Sequence, residues 1–304
     1  MIKAEAERLG FCLCGFTDAA PPADFERYTR WLEEDSIGTM AYLRREDTLA
    51  KRADLRLLLE DVRSVCVLAV PMAIFPQEPV YSVASYVHYL DYHDAIVPMA
   101  EQLAGKISEL SPEAFSYRIC VDSSPILERS LAVRAGLGWI GKSSMFISPR
   151  FGSALFLCEL LLSLTIKPDE PLTRDGCGSC TRCVQACPNH CIDPETRTIR
   201  ADRCAAYLTI EHKGEFTPEQ SRLVGTHLFG CDDCLSVCPW NRRNPGTSPL
   251  PPADVLPVPA DGDLSDAEFK EKFRNSPVFR TKAKGLRRNA AAVRQNREQA
   301  EGRK

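Results

Sequence analysis

The 304-residue sequence offers neither the apolar core of a signal peptide nor a run long enough to span a bilayer. Its opening, MIKAEAERLGF, carries charges throughout. The longest apolar runs, residues 65–75 and 154–166, fall short of a membrane span, and the second contains Glu159. A soluble, cytoplasmic protein with no membrane partner is expected. A basic excess is missing too: 38 Lys and Arg against 41 Asp and Glu give a formal charge of -3, which excludes a uniformly basic nucleic-acid binder and leaves only local patches. A nucleotide-binding loop is also lacking. Gly136-Leu-Gly138-Trp139-Ile-Gly141-Lys142-Ser143 is neither G-x-x-x-x-G-K-[ST] nor a G-x-G-x-x-G that opens a helix, because residues 145–148 read as strand. That loop instead suits close backbone approach to a flat or phosphate-bearing ligand, with Lys142 as the charge.

What the chain has in abundance is cysteine, 14 in all. Secreted disulfide scaffolds are short, so reduced, metal-holding thiolates are the better reading. One run reads Cys177-x2-Cys180-x2-Cys183-x3-Cys187-Pro188, the spacing of bacterial two-cluster ferredoxins. A second, Cys231-x2-Cys234-x3-Cys238-Pro239, lacks the leading cysteine, and Cys204 is the nearest upstream residue to supply it. In such runs the cysteine before proline reaches the other cluster. That rule assigns Cys177, Cys180, Cys183 and Cys238 to one [4Fe-4S] cluster, and Cys187, Cys204, Cys231 and Cys234 to the other. A zinc ribbon is the alternative, but it would leave both C-Pro extensions without purpose. The remaining six, Cys12, Cys14, Cys66, Cys120, Cys158 and Cys191, read as small hydrophobes, mostly in apolar surroundings.

Up to about residue 170 helix-like and strand-like stretches alternate, which predicts a mixed α/β or α+β domain. Helices are expected at residues 2–9, around Phe25, Tyr28, Trp31 and Leu32, and from Ile96 to Leu110; strands at 62–70, 117–121 and 155–162. Asp122 follows the 117–121 strand. Ser124 and Pro125 look like the N-cap and first residue of a helix over 126–135, which would set the Asp122 carboxylate beside a helix start. The Asp91-Tyr92-His93 triplet makes, by itself, neither a metal site nor a triad. Residues 168–175 read as a linker, the Pro-rich run 244–259 as an extended connector, and the tail as helix with a basic cluster, Lys282 to Arg288, that either is solvated or touches RNA phosphate.

These residues together resemble the epoxyqueuosine reductase family. The resemblance is carried by Asp91-Tyr92-His93, by Val121-Asp122 with Pro125, Leu127 and Glu128, by residues 135–142 and 152–153, by both cysteine runs, by Tyr207-Leu-Thr-Ile-Glu-His-Lys-Gly214, and by Cys238-Pro-Trp-Asn241. It implies an α+β chain: a sandwich-like cobalamin domain over 1–167, a two-[4Fe-4S] ferredoxin-like domain over 168–243, and a short helical tail over 244–304 in place of the family's helical repeats. It further implies reduction of epoxyqueuosine to queuosine at the tRNA wobble position, with electrons passing from a low-potential donor through the clusters to cobalamin. Asp122 is then the proton donor, and Tyr86, Gly138, Gly141, Lys142 and Ser153 are cobalamin contacts. Ser85, Tyr89 and Ser143 depart from the family's usual Arg, Gly and Asn. A cobalamin and iron-sulfur reductase of a small molecule, or an electron-transfer adaptor, are the other functions the residues allow.

Overall fold

The computed structural model describes all residues except 35, 78–79, 255–257, 260–263 and 303–304. The Pro-rich run therefore falls partly outside the described residues. Four strands form the central sheet, Leu13–Asp18, Ser64–Pro71, Leu155–Leu162 and Tyr117–Cys120 in that spatial order, each antiparallel to its neighbour. The two middle strands are the Val-, Cys- and Leu-rich runs of the sequence. Ser64–Pro71 is buried along its whole length, as a strand covered on both faces must be.

Each face of this sheet has its own apolar layer. On one side the 19-residue helix Tyr92–Leu110 presents Ile96, Ala100, Leu103, Ala104 and Ile107 to Cys66, Leu68, Val70, Leu160 and Leu162. On the other, Leu131, Ala132 and Ala135 meet Val65, Val67, Ala69, Cys120 and Leu161. The α+β class is thus observed, built on an antiparallel sheet. The short helix beside that second face spans Glu128–Arg134, with Leu127 rather than Ser124 in the N-cap position. The expected cap at Ser124 does not form because the chain reverses at Asp122, whose φ of 47° is left-handed, and residues 123–127 are spent on the turn.

The cluster half is held to the sheet half by side chains from the last cysteine run. Asn241 Oδ1 accepts from the Ser153 backbone N–H at 2.6 Å, and Asn241 Nδ2 donates to the Leu235 carbonyl at 2.7 Å. Trp240 meets Trp139 edge to face at 4.9 Å and donates to the Gly176 carbonyl. Gly152 has a φ of +76°, and a Cβ there would press on the Asn241 backbone.

The tail is not a loose appendage. Phe269, Phe273, Val278, Leu286, Ala290 and Val293 share one apolar cluster with Tyr207, Leu208, Leu228 and Phe229, and also with Tyr81, Val83 and Val87 from the front half. Residues 82–83 pair in parallel with His227–Phe229, and Leu90 N–H donates to the Pro251 carbonyl. The basic cluster of the last helix is largely occupied internally: Arg288 donates to the His212, Gly214 and Leu208 carbonyls and stacks 4.0 Å over Phe216, while Arg287 pairs with Asp266. Among the described residues, no helix is long and apolar enough to cross a membrane.

Candidate functional site

Helix geometry places the first functional group. Asp91 caps the Tyr92–Leu110 helix by accepting from the His93 N–H at 3.1 Å, and the same oxygen lies 2.6 Å from His93 Nδ1. The Tyr92 ring stacks on His93 at 4.2 Å and on Phe156 at 4.5 Å, which fixes the imidazole plane. His93 Nε2 then reaches Asp122 Oδ2 at 3.1 Å. The Asp122 N–H in turn donates to Glu128 Oε1 at 2.8 Å, so the left-handed turn is pinned from behind.

Electrostatics divides these groups by protonation. Burial opposes a charge on His93, but Asp122 and Asp91 outweigh it and raise the imidazole to about 9. Burial likewise acts to raise the Asp122 carboxyl, yet the hydrogen bond and charge of His93 leave it below its ordinary value. At neutral pH the site is therefore an imidazolium held between two carboxylates. Glu128 is pushed up to about 7, first by burial and then by the Asp122 charge. Glu159, wholly buried on the Leu155–Leu162 strand with no hydrogen-bond partner for either oxygen, is raised well above the usual range, chiefly by burial. It is held as the neutral acid.

Asp91, His93, Asp122 and Glu128 line a cavity of about 900 Å³ whose wall also carries Tyr28, Trp31, Tyr86, Phe229 and Cys204. The cavity thus touches both the sheet half and the second cysteine set. Arg52 lines it as well, its guanidinium 5.3 Å over Tyr28, and its buried Nη1 has no hydrogen-bond partner. Of the proposed cofactor contacts, Tyr86 is on this wall. Gly138, Gly141, Lys142 and Ser153 are not among its lining residues, although Ile140 and Ser144 of the same loop are. Gly138 backs onto Phe146 and Ile147, and Gly141 onto Ile147 beside Cys177 Sγ. Lys142 Nζ donates to the Gly178 carbonyl at 2.7 Å, and Ser153 is bonded to Asn241. The glycine loop braces the first cysteine run because the 139–140 and 146–147 strands fold it back onto itself. Ser85 and Tyr89 are structural: Ser85 Oγ accepts from Phe75 N–H at 3.0 Å, and the Tyr89 hydroxyl accepts from Ala73 N–H at 3.1 Å.

The cysteines fall into two groups. Cys183 lies within electrostatic reach of Cys177, Cys180 and Cys238. Cys234 stands in the same relation to Cys204 and Cys187, and also to Cys183 across the gap between the groups, and Cys231 to Cys234 and Cys204. Cys191, expected among small hydrophobes, sits instead inside the second group, its Sγ 3.3 Å from Cys187 Sγ. The signal for this in the sequence is its place just beyond the Cys187-Pro188 pair. His227, Cys231 and Asp233 also place ligand atoms within 4.8 Å of one another, but Cys231 already belongs to the second group.

The comparisons with known proteins agree with this geometry. Residues 176–241 match the family model "4Fe-4S double cluster binding domain", and residues 52–123 match "Epoxyqueuosine reductase QueG, DUF1730". An epoxyqueuosine reductase of Cellulophaga algicola is 38% identical over 299 residues, 95% of each chain, and one of Leadbetterella byssophila is 37% identical over 97% of each chain. The structure of epoxyqueuosine reductase from Streptococcus thermophilus superposes with a TM-score of 0.83 at 30% identity, covering 97% of this chain and 80% of that one. A crystal structure of epoxyqueuosine reductase with an epoxyqueuosine-modified tRNA-Tyr stem loop gives 0.79 at 26% identity, with 97% and 80% covered. Full-length identity, a shared fold and a double-cluster domain in the same chain place this protein in the epoxyqueuosine reductase family.

Proposed function

We propose that the chain reduces epoxyqueuosine in tRNA to queuosine, taking electrons from a low-potential donor in the cytoplasm through two [4Fe-4S] clusters. The observation that carries the reading is the Asp91–His93–Asp122 line on the wall of a cavity that Cys204 also lines. The first cluster is held by Cys177, Cys180, Cys183 and Cys238, and the second, nearer the cavity, by Cys187, Cys204, Cys231 and Cys234. The catalytic domain over 1–167 and the cluster domain over 168–243 meet at that cavity, with 244–304 closing the fold behind Phe229 and Tyr207.

The cavity's residues suit cobalamin. Aromatic rings at Tyr28, Trp31 and Tyr86 match a flat macrocycle, and the unpaired buried Arg52 Nη1 is a donor left for a polar group on a ligand. When bound, cobalamin supplies a strongly reducing, nucleophilic metal centre that no side chain can match. Removing the epoxide oxygen as water consumes electrons and protons in equal number, and the protein's part is the protons. Asp122 faces the cavity ionised, with the His93 imidazolium holding a proton on Nε2 behind it, so the proton for the departing oxygen starts on His93 and crosses through the Asp122 carboxylate, leaving a neutral imidazole. Asp91 keeps the ring oriented throughout.

The test is nucleoside analysis of tRNA from a strain lacking this gene, which should contain epoxyqueuosine in place of queuosine. Unchanged queuosine, with no redundant enzyme present, refutes the proposal. Purified protein that holds iron yet never takes up cobalamin would favour the electron-transfer adaptor.

A further inference from the structure

The second cysteine group contains five sulfurs, one more than a cubane takes from the protein. Cys191 Sγ lies 3.3 Å from Cys187 Sγ, too far for the ~2.05 Å bond of a disulfide and close for two sulfurs that share no proton. It is 4% exposed, so water does not compete for it. Thiolates on different corners of a cubane point away from one another, so Cys187 and Cys191 cannot both be ligands of neighbouring irons. The sequence decides between them: Cys187 closes the Cys-x2-Cys-x2-Cys-x3-Cys-Pro run, whereas Cys191 lies outside it. Cys191 sits immediately before the Ile192–Asp193 strand, with its sulfur against that of Cys187.

We infer that Cys191 is a positioning residue of the second cluster, whose S–H donates to the Cys187 sulfur and raises the potential at which that cluster accepts an electron. The inference rests on the two-cluster reading above. A donor to a ligand sulfur offsets charge on the cluster and so stabilises the more negative, reduced form. In a site closed to water the effect is not shared with solvent. Cys191 thereby sets how readily the cluster nearer the cavity fills, without binding iron itself.

The experiment compares anaerobically purified full-length protein with Cys191→Ala, Cys191→Ser and Cys187→Ala, measuring iron and sulfide content and titrating reduction by EPR. Cys191→Ala and Cys191→Ser should keep the wild-type iron. One of the two potentials should move to a more negative value in Cys191→Ala and to an intermediate value in Cys191→Ser, whose hydroxyl still donates, while the other stays put. Cys187→Ala should lose half the iron although Cys191 is intact. In the wild type, an exchangeable proton coupled to the shifted cluster should vanish in deuterated buffer, a measurement that needs no variant. Loss of half the iron in Cys191→Ala, full iron in Cys187→Ala, or unmoved potentials with no exchangeable proton would each overturn the inference. Wild-type protein holding a single cubane or zinc would instead defeat the two-cluster reading, and that result is visible before any variant is made.

Discussion

Replacing Asp122 by Asn tests the proposed chemistry with the least disturbance to the fold. Asn tolerates the left-handed φ of 47° that Asp122 adopts, so the turn and the backbone bond to Glu128 should persist, whereas Ala would add strain to any loss of function. The substitution removes the negative charge and the protonatable oxygen that face His93 and the cavity, while an amide oxygen can still accept from His93. Positioned general acids contribute roughly 10²–10⁴-fold, so turnover should fall by that factor, about 3–5 kcal/mol of barrier. His93 remains, and direct transfer from it argues for the lower end. The change also has a pH signature. His93 stands at about 9 because two carboxylates face it, and with one removed its value should drop. The alkaline limb of the residual rate should therefore move to lower pH. The assay is single-turnover conversion of an epoxyqueuosine-containing stem loop by chemically reduced protein, read by nucleoside mass spectrometry, with iron and cobalamin contents measured alongside. Turnover within about threefold of wild type, at unchanged cofactor content, would show that the carboxylate is only part of a turn.

In the wild type, His93 carries its proton below about 9 and loses it above, so the rate of the chemical step should hold through neutral pH and decline beyond that value, as a pH–rate profile will show. Cys204→Ala should cost the protein one cluster, seen as half the iron and sulfide, if Cys204 is, as proposed, the thiolate missing from the second run. Glu159 is protonated in the folded state and ionises freely when unfolded, so the wild type loses stability as pH rises above the ordinary 4.5; Glu159→Gln should lack that slope in melting temperatures taken across pH. Asn289 is fully buried and donates to the Thr209 and Leu228 carbonyls at 2.7 and 3.0 Å, so Asn289→Ala should lower stability by about 1–3 kcal/mol in denaturant titration.

Spacing alone makes the cysteine framework legible, because x2 and x3 gaps are constraints of a single loop and hold without tertiary contacts. The sheet is similarly open to reading, since Ser64–Pro71 and Leu155–Leu162 are continuous apolar runs. What escapes depends on distance through space. His93 looks ordinary in its triplet because its second partner, Asp122, is 29 residues away. The cap expected at Ser124 loses to the turn at Asp122, a backbone reversal that no glycine announces. The Gly138–Lys142 loop carries the composition of a ligand cradle, yet its glycines admit the neighbouring strand and the first cysteine loop, and it is Ile140 and Ser144 that reach the cavity.

The interleaving of early and late segments bears on how the protein matures. Residues 82–83 pair with His227–Phe229, and Val87 shares its apolar layer with Phe273 and Leu286 from near the end of the chain. A nascent polypeptide emerging from the ribosome cannot complete that layer until the last helix is made, whatever the cysteines before it have begun to gather. Cys204 packs against that same layer, so a chain stopped short of residue 280 should present its thiols without a finished wall to shelter them.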